Sequence, residues 1–507
     1  MEIPLQKEEY RFLEKCESVI DECIQAELSL PEYMPEIVRI IKSCADVRIN
    51  SCGCTGERCT VDGECELRMI YTCEDGLLYS FSQTRPFSRY CENRAFAKAE
   101  DVNASAEVSY VSCRAVNPRR AEMKAGAAIH VTAYSSGAKS VASSSDSAQI
   151  QQKCRSFGAM SLGCRRTKGF SMSDVCRLGK DSAQYLIGTN ASAMLREVKK
   201  IGSKLMLTGE AVTEICYVPT ADKSLTEHIR HTMPINQVLE FEGLQENFTG
   251  ETELCIAACD VIIKNSSDGE GTAFDISLGI NASVTMWEEK QYSVITDAYS
   301  VSGELSVQRE TAEFLSPVDE IHENRSFRET LDLSKTGVSR LLDMSFGKTS
   351  AEARVNGDCL TVSGTLKTVL LYRDRSGEAV MLEKAVDYSY ERKLPRSVDS
   401  PFVLPGVTVC SVDCIQKSDT QAEIRLDVLL DCRVFSRNQL EIITGMSLDE
   451  AAPGQSKSAL TIYFTDGEES LWDIARAHNT TVQALIEENN LSGETTGQLK
   501  MLLIPTA

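Results

Sequence analysis

Val61-Asp62-Gly63-Glu64-Cys65-Glu66-Leu67-Arg68-Met69-Ile70-Tyr71, with Cys113 well downstream, sets a pattern that returns twice along the chain. The second copy runs Leu207-Thr208-Gly209, then Ile215-Cys216-Tyr217, then Cys259. The third runs Val362-Ser363-Gly364, then Leu370-Leu371-Tyr372, then Cys414. Gly to Tyr covers 8 positions and Tyr to Cys 42 positions in every copy. Two spacings held across three segments identify an internal repeat. Within it, apolar and polar residues alternate along Thr208–Tyr217 and Gly364–Tyr372, enriched in β-branched and aromatic types, as a strand buried on one face requires.

Working outward from these strands, turn clusters separate the apolar runs: Glu74-Asp75-Gly76, Asn265-Ser266-Ser267-Asp268-Gly269, Asp374-Arg375-Ser376-Gly377 and Pro405-Gly406. Closely spaced strands without long helical periods give a mainly β fold class, three β-sandwich or barrel-like repeats of roughly 110–130 residues each. The repeated Gly marks a bulge or a close backbone approach, and the repeated Tyr and Cys are core positions. Each copy has a lead-in, a strand and a short apolar turn: Leu28 to Ile41, Cys176 to Ile187, and Leu331 to Leu342. The expected domains are 18–134, 170–302 and 327–446. The Ser/Ala-rich 135–169 and the segment 447–458 read as linkers, leaving 459–507 as a separate unit.

Composition narrows the function classes. With Asp plus Glu at 74 and Lys plus Arg at 53, the net charge is −21, which disfavours a nucleic-acid or anionic-membrane surface. No apolar run reaches the roughly 18 residues of a membrane-spanning helix. The first residues lack the layout of a secretion signal, so a reducing cytosol is expected, where the 20 Cys are thiols or metal ligands before they are disulfides. No phosphate-binding Gly loop, His-Glu-x-x-His or Gly-x-Ser-x-Gly occurs, and His130, His228, His231, His322 and His478 are scattered. The expectation is a protein that is not an enzyme, with no cofactor. One local cluster, Cys44, Cys52, Cys54, Cys59, Cys65 and Cys73, leaves three readings: buried thiols, a zinc site without the usual Cys-x2-Cys pairs, or later oxidative cross-linking.

The last 49 residues change character. Leu460–Phe464 reads as a strand, and Ser470 as the N-cap of a helix with an apolar stripe at Leu471, Ile474 and Ala475. Thr481–Asn489 opens a second helix and Met501–Pro505 a closing strand, so the order is β-α-α-β. Trp472 is expected in the core of this module. Tyr463-Phe464, Ser470 to Ala475, Asn489-Asn490-Leu491, Gly497-Gln498 and Leu503-Ile504-Pro505 resemble a LysM module. That resemblance implies a groove for N-acetylglucosamine glycans formed by Asp466, Gly467, Glu468, Glu469, Ser470 and Leu471 on one side and Asn489, Asn490 and Leu491 on the other. The family's Pro-Gly-Asp-Thr is here Gly467-Glu468-Glu469-Ser470, which puts a carboxylate where backbone should approach a sugar.

The whole chain is similar to the SPOCS (DUF3794) proteins of spore-forming Clostridia, of the type that pairs such repeats with a C-terminal LysM. The likeness rests on Leu30-Pro31-Glu32-Tyr33-Met34-Pro35-Glu36-Ile37, the three Gly–Tyr frames, Arg85-Pro86-Phe87-Ser88 with its counterpart Met233-Pro234-Ile235, and Tyr463 to Pro505. It implies a non-enzymatic scaffold of spore coat assembly, made in the mother cell and laid on the forespore. The LysM would recruit a protein partner, a SpoIVA-like morphogenetic ATPase. The alternative is a peptidoglycan-binding protein held to cortex or cell wall through its LysM.

Overall fold

The computed structural model describes residues 1–178, 182–223, 225–265, 272–335, 337–449, 461–466, 468–491, 493–497 and 501–505. The first repeat comprises β1 (Leu5–Ser29), β2 (Arg39–Thr55), β3 (Arg58–Thr72), β4 (Leu78–Glu92), β5 (Asp101–Asn117) and β6 (Arg120–Ser145). They make two antiparallel sheets, β1-β6-β5 and β2-β3-β4, packed as a sandwich. The second repeat, β7 (Ile150–Arg177), β8 (Ala183–Ile201), β9 (Lys204–Pro219), β10 (Glu227–Glu240), β11 (Thr249–Asn265) and β12 (Thr272–Ser300), has the same topology. So does the third: β13 (Glu304–Asp332), β14 (Arg340–Asn356), β15 (Cys359–Arg373), β16 (Ala379–Lys393), β17 (Pro401–Leu404), β18 (Val407–Ser418) and β19 (Gln421–Asp449). There Pro405-Gly406 divides the strand that is continuous in β5 and β11, because proline supplies no ladder donor.

The recurring frame is the middle strand of each smaller sheet. Tyr71, Tyr217 and Tyr372 are buried, while Cys113, Cys259 and Cys414 are half-buried against the same cores. The repeated glycine does mark close approach in two copies. A Cβ on Gly63 would run into the Arg48 carbonyl, and one on Gly209 into the Met194 carbonyl. Each of these two glycines pairs with a residue at a bulge in the neighbouring strand, between Ile49 and Ser51 and between Leu195 and Glu197. Pro86 and Pro234 sit in β4 and β10, edge strands where a missing N–H costs no ladder bond.

The outer strands are longer than a sandwich needs. β1 pairs with β6 from Ser29–Arg120 to Leu5–Ser145 with a single register shift between Gln6 and Lys7, and 25 residues in a strand extend roughly 80 Å. One half of this ribbon covers the sandwich; the other half leaves it. The same happens in β7–β12 and β13–β19, and the three free halves pack on one another. Tyr10 and Val141 from the first repeat, Ala159, Tyr292 and Val294 from the second, and Ala312, Phe314, Leu440 and Ile442 from the third form one buried cluster. Ile3, Ala142, Ile150, Ile295, Ala298, Ile443, Met446 and Leu448 form another.

Residues 135–169, read from composition as a linker, are therefore strand apart from a turn at 146–149. Ser135–Ser145 continues β6 opposite Leu5–Glu14, and 150–169 lies in β7. Small residues serve close ribbon packing here: a Cβ at Gly137 would collide with the Phe12 ring. Of the expected second linker, 447–449 belongs to β19 and 450–458 lies outside the described residues.

The three smaller sheets meet at a second junction. Each first strand has a bulge at the same frame position, at Ile41, Ile187 and Leu342. These join Ile70, Cys216 and Leu371 in a single apolar cluster contributed by all three repeats. The repeats thus close around a common axis, and β2, β5, β8, β11, β14 and β18 line a cavity of about 1380 Å³ between them. Arg48 bridges the first and second repeats by donating to Asp260 and to the Cys259 carbonyl, and Cys410 meets Met194 at 3.5 Å between the second and third.

Candidate functional site: the C-terminal module and the axial junction

The C-terminal module folds from its own short-range signals. β20 (Thr461–Phe464) pairs antiparallel with β21 (Met501–Ile504), and α1 (Leu471–Ala477) and α2 (Val482–Asn489) pack beneath them. Thr481 caps α2 by accepting from the Ala484 N–H at 3.0 Å. Ser470 occupies the N-cap of α1 in extended conformation without a side-chain cap bond. Asn490 ends α2 in the left-handed region (φ 51), which asparagine tolerates. The core is Leu471, Ile474, Ala475, Leu485, Leu502 and Ile504.

The expected groove residues divide between scaffold and surface. Leu471 is fully buried in the core. Asn489 is a clamp: its Nδ2 donates to the Leu485 and Leu503 carbonyls and its Oδ1 accepts from the Leu503 N–H, tying α2 to β21. The first loop is zipped to residues 494–496. Glu469 N–H donates to Thr496 Oγ1, Thr496 N–H to the Glu469 carbonyl, Tyr463 Oη to Glu469 Oε1, and Thr495 Oγ1 to Glu468 Oε1. Ser470 bridges Thr495. Asp466 and Asn490 are exposed, Leu491 is half-buried against the core, and Gly467 lies outside the described residues. A separate exposed apolar strip runs along the sheet: Ile462, Phe464 (73% exposed) and Met501.

Trp472 is not in the core of the module. It is half-buried at the margin, where it docks on the second repeat: its ring meets Tyr299 edge-on at 4.8 Å, and Nε1 donates to Asp297 Oδ2 at 2.9 Å. Arg476, one turn along, also reaches Asp297 at 3.0 Å, Arg309 pairs with the other carboxylate oxygen at 2.7 Å, and Tyr299 Oη donates to the Thr480 carbonyl. A tryptophan beside an apolar helix stripe looks like core in sequence. Its true partners lie on a strand more than 170 positions away.

Asp297→Ala is therefore expected to undock the module at a loss on the order of 2–3 kcal/mol, the worth of hydrogen bonds to a charged group, while leaving it folded. Leu485→Ala should instead unfold the module, at about 2–5 kcal/mol. With Trp287→Phe as background, Trp472 is the sole tryptophan, and its emission should shift red in Asp297→Ala. An unshifted spectrum would refute the docking. Burial alone would raise the Asp297 carboxyl, but hydrogen bonds from Trp472 and Arg309 and the Arg476 charge outweigh it, holding it below its ordinary 3.8. A depressed folded value means that docking persists from neutral pH down past that ordinary value and is lost only below it. A red shift completed between neutral pH and 3.8 would contradict this.

At the axial junction, the position after each bulge carries Lys42, Gly188 and Asp343. Lys42 Nζ lies 3.2 Å from Asp343 Oδ2 and 2.8 Å from Ser345 Oγ, with both charged side chains almost wholly buried. Gly188 leaves the space: a Cβ there would already stand 3.5 Å from Asp343 Oδ2. Asp343 also groups with Cys216 and His228, their donor atoms lying within 4.8 Å of one another, a set with the chemistry of a three-ligand metal site. The Lys42 ammonium already neutralises the carboxylate there, and His228 Nε2 and Thr226 Oγ1 both bond the Leu342 carbonyl, at 2.7 and 2.6 Å. The group reads as a hydrogen-bonded ion pair. Applying the repeat spacing to Lys42 would have found its complement in the sequence.

The N-terminal cysteines do not form one group. Cys59, Cys65 and Cys73 are buried along β3 and just beyond it, and Cys44 contacts the Arg68 carbonyl. Cys52, Cys54 and Cys59 come together at the hairpin tip, joined by Cys91 of β4, which the sequence reading omitted. Of the histidines, His231 pairs with Asp174 at 2.9 Å, His322 lies 3.7 Å from Asp431, and His478 packs on Tyr463.

Comparison with known families matches two segments of the chain. Residues 36–116 match the model "SipL, SPOCS domain", and residues 467–499 match the LysM domain. Neither the curated proteins nor the solved structures searched gave a match. No helix among the described residues is long and apolar enough to cross a membrane. Both matched domains are binding modules without catalytic chemistry of their own. The chain is thus a mainly β protein that carries a SipL-type SPOCS domain near its N-terminus and a LysM domain at its C-terminus.

Proposed function

We propose that the protein is a non-enzymatic scaffold of spore envelope assembly, laid at the forespore surface, whose LysM module recruits a protein partner. The reading rests first on the exposed apolar strip Ile462, Phe464 and Met501, a surface suited to docking a protein. It is supported by the first loop, whose Glu469 backbone is committed to Thr496 and whose surface carries the Glu468 carboxylate. The three repeats supply a body to which the module is fastened through Asp297 and Tyr299, so that a captured partner is held at a defined place. By the family resemblance, the partner is a SpoIVA-like morphogenetic ATPase.

The test uses the full chain, offered in parallel to that ATPase and to insoluble peptidoglycan. Capture of the ATPase is expected, falling at least about tenfold in Phe464→Asp, a loss equivalent to about 1.4 kcal/mol or more. The exposed side chain makes the substitution harmless to the fold. Strong retention on peptidoglycan without ATPase capture would replace this reading with the glycan-anchor alternative, which the LysM match favours.

A further inference from the structure

The β2–β3 hairpin turns at Gly56-Glu57, with Thr55 opposite Arg58 as the closing pair and Cys54 opposite Cys59 as the next. Cys59 also stands opposite Cys91 on β4, and Cys52 Sγ lies 3.6 Å from Cys59 Sγ. Cys59 is fully buried, whereas Cys52, Cys54 and Cys91 are half-buried.

Folding does not explain four thiols here. The buried position of Cys59 is held by Leu205 in the second repeat and Leu360 in the third. Their cross-strand partners are Lys200 and Leu239 in one, and Val355 and Arg392 in the other. An apolar side chain suffices at the centre, and its neighbours need not be sulfur.

Geometry selects one pair. In a two-residue hairpin the closing pair is hydrogen-bonded, so Cys54 and Cys59 form the following non-hydrogen-bonded pair. There Cα atoms approach to about 4.5 Å and side chains are closest, within the span a disulfide accepts. Cys52 is diagonal to Cys59, a relation that sets Cα atoms about 7–8 Å apart, beyond that span.

We propose that Cys54 and Cys59 are a redox-modification site, forming an intrachain disulfide that staples the β2–β3 hairpin by exchange with a small-molecule disulfide. The half-buried Cys54 thiolate attacks one sulfur of the small disulfide, making a mixed disulfide and expelling one thiolate. The Cys59 thiolate then attacks the Cys54 sulfur and expels the second. The two protons lost by the cysteines pass to the two leaving thiolates, so two protein thiols are oxidised and one small disulfide is reduced to two thiols. Burial pushes the Cys54 and Cys59 thiols up to about 12. Exchange is accordingly slow at neutral pH and accelerates as the thiolate fraction grows, by roughly tenfold per pH unit.

The test treats the reduced full chain with oxidised glutathione at two alkaline pH values, alkylates the remaining thiols and maps tryptic peptides without reduction. Trypsin cuts after Arg58, so the bond joins peptide 49–58 to peptide 59–68. The expected result is that linkage, faster at the higher pH, kept in Cys52→Ser and lost in Cys54→Ser. Cys59→Leu, which installs the residue of the other repeats, should also lose it while keeping the fold. Linkage that survives Cys54→Ser but not Cys52→Ser would overturn the assignment. So would glutathione added to the exposed Cys23, Cys154 and Cys255 with no bond in the hairpin. Stoichiometric Zn²⁺ bound by these thiols and protecting them from exchange would also overturn it, showing a metal site instead.

Discussion

Lys42→Ala is expected to destabilise the protein by about 3–5 kcal/mol, the cost of leaving a buried carboxylate without its counter-charge. The side chains of Lys42 and Asp343 are 6% and 4% exposed, so water cannot take over from the lost ammonium. Ser345, which now accepts from Lys42, would lose its donor as well. The double variant Lys42→Ala with Asp343→Ala should recover most of the loss, because removing both charges also removes the need to bury them. Urea unfolding followed through Trp287, which is buried where the repeats meet, reads the difference. A single variant within about 1 kcal/mol of wild type would mean that the pair is solvated and does not join the repeats.

Phe314→Ala should cost a similar amount, about 3–5 kcal/mol for a large buried aromatic. Phe314 is fully buried, and its ring lies 4.8 Å from Tyr10 of the first repeat and 4.7 Å from Phe157 of the second. The Tyr10 hydroxyl accepts the Leu315 N–H, so the same contact aligns two ribbons. Burial has pushed the Tyr10 phenol up to about 12, and it stays neutral at any ordinary pH. Because the cavity left by Phe314→Ala would open among all three ribbons, unfolding should also become less cooperative than in wild type. Fluorescence and far-ultraviolet circular dichroism would then give separate midpoints. Coincident midpoints at unchanged stability would show that the ribbon cluster is dispensable.

The sequence disclosed what is local or strictly periodic. The Gly–Tyr–Cys frame located the middle strand of every smaller sheet, and caps and apolar stripes located both helices of the LysM module. What it concealed depends on partners far along the chain. Ser135–Ser145 has the composition of a linker because close-packed ribbons and flexible linkers both favour small residues, and only the opposing Leu5–Glu14 distinguishes them. Trp472 belongs to a docking contact because Asp297 and Tyr299 happen to face it. Cys91 joins the hairpin thiols through a strand pairing that spacing alone does not reveal. Within the candidate LysM groove, Asn489 reads in sequence as a ligand contact, whereas its amide is engaged by the Leu485 and Leu503 backbones.

Joining the three repeats covalently has a further consequence at the axis. In a trimer of identical separate chains, whatever stood after the bulge would appear three times, as three ammonium groups or three carboxylates forced together. One continuous polypeptide lifts that restriction and lets a cation, a gap and an anion share the junction. The identity of all three repeats is thereby written into the chemistry of the axis. Replacing one of them by a copy of another would bring like charges together or leave one charge alone in the interior. Versions of this chain in which one repeat is duplicated over another should fail at assembly of the body even where every individual sandwich is sound.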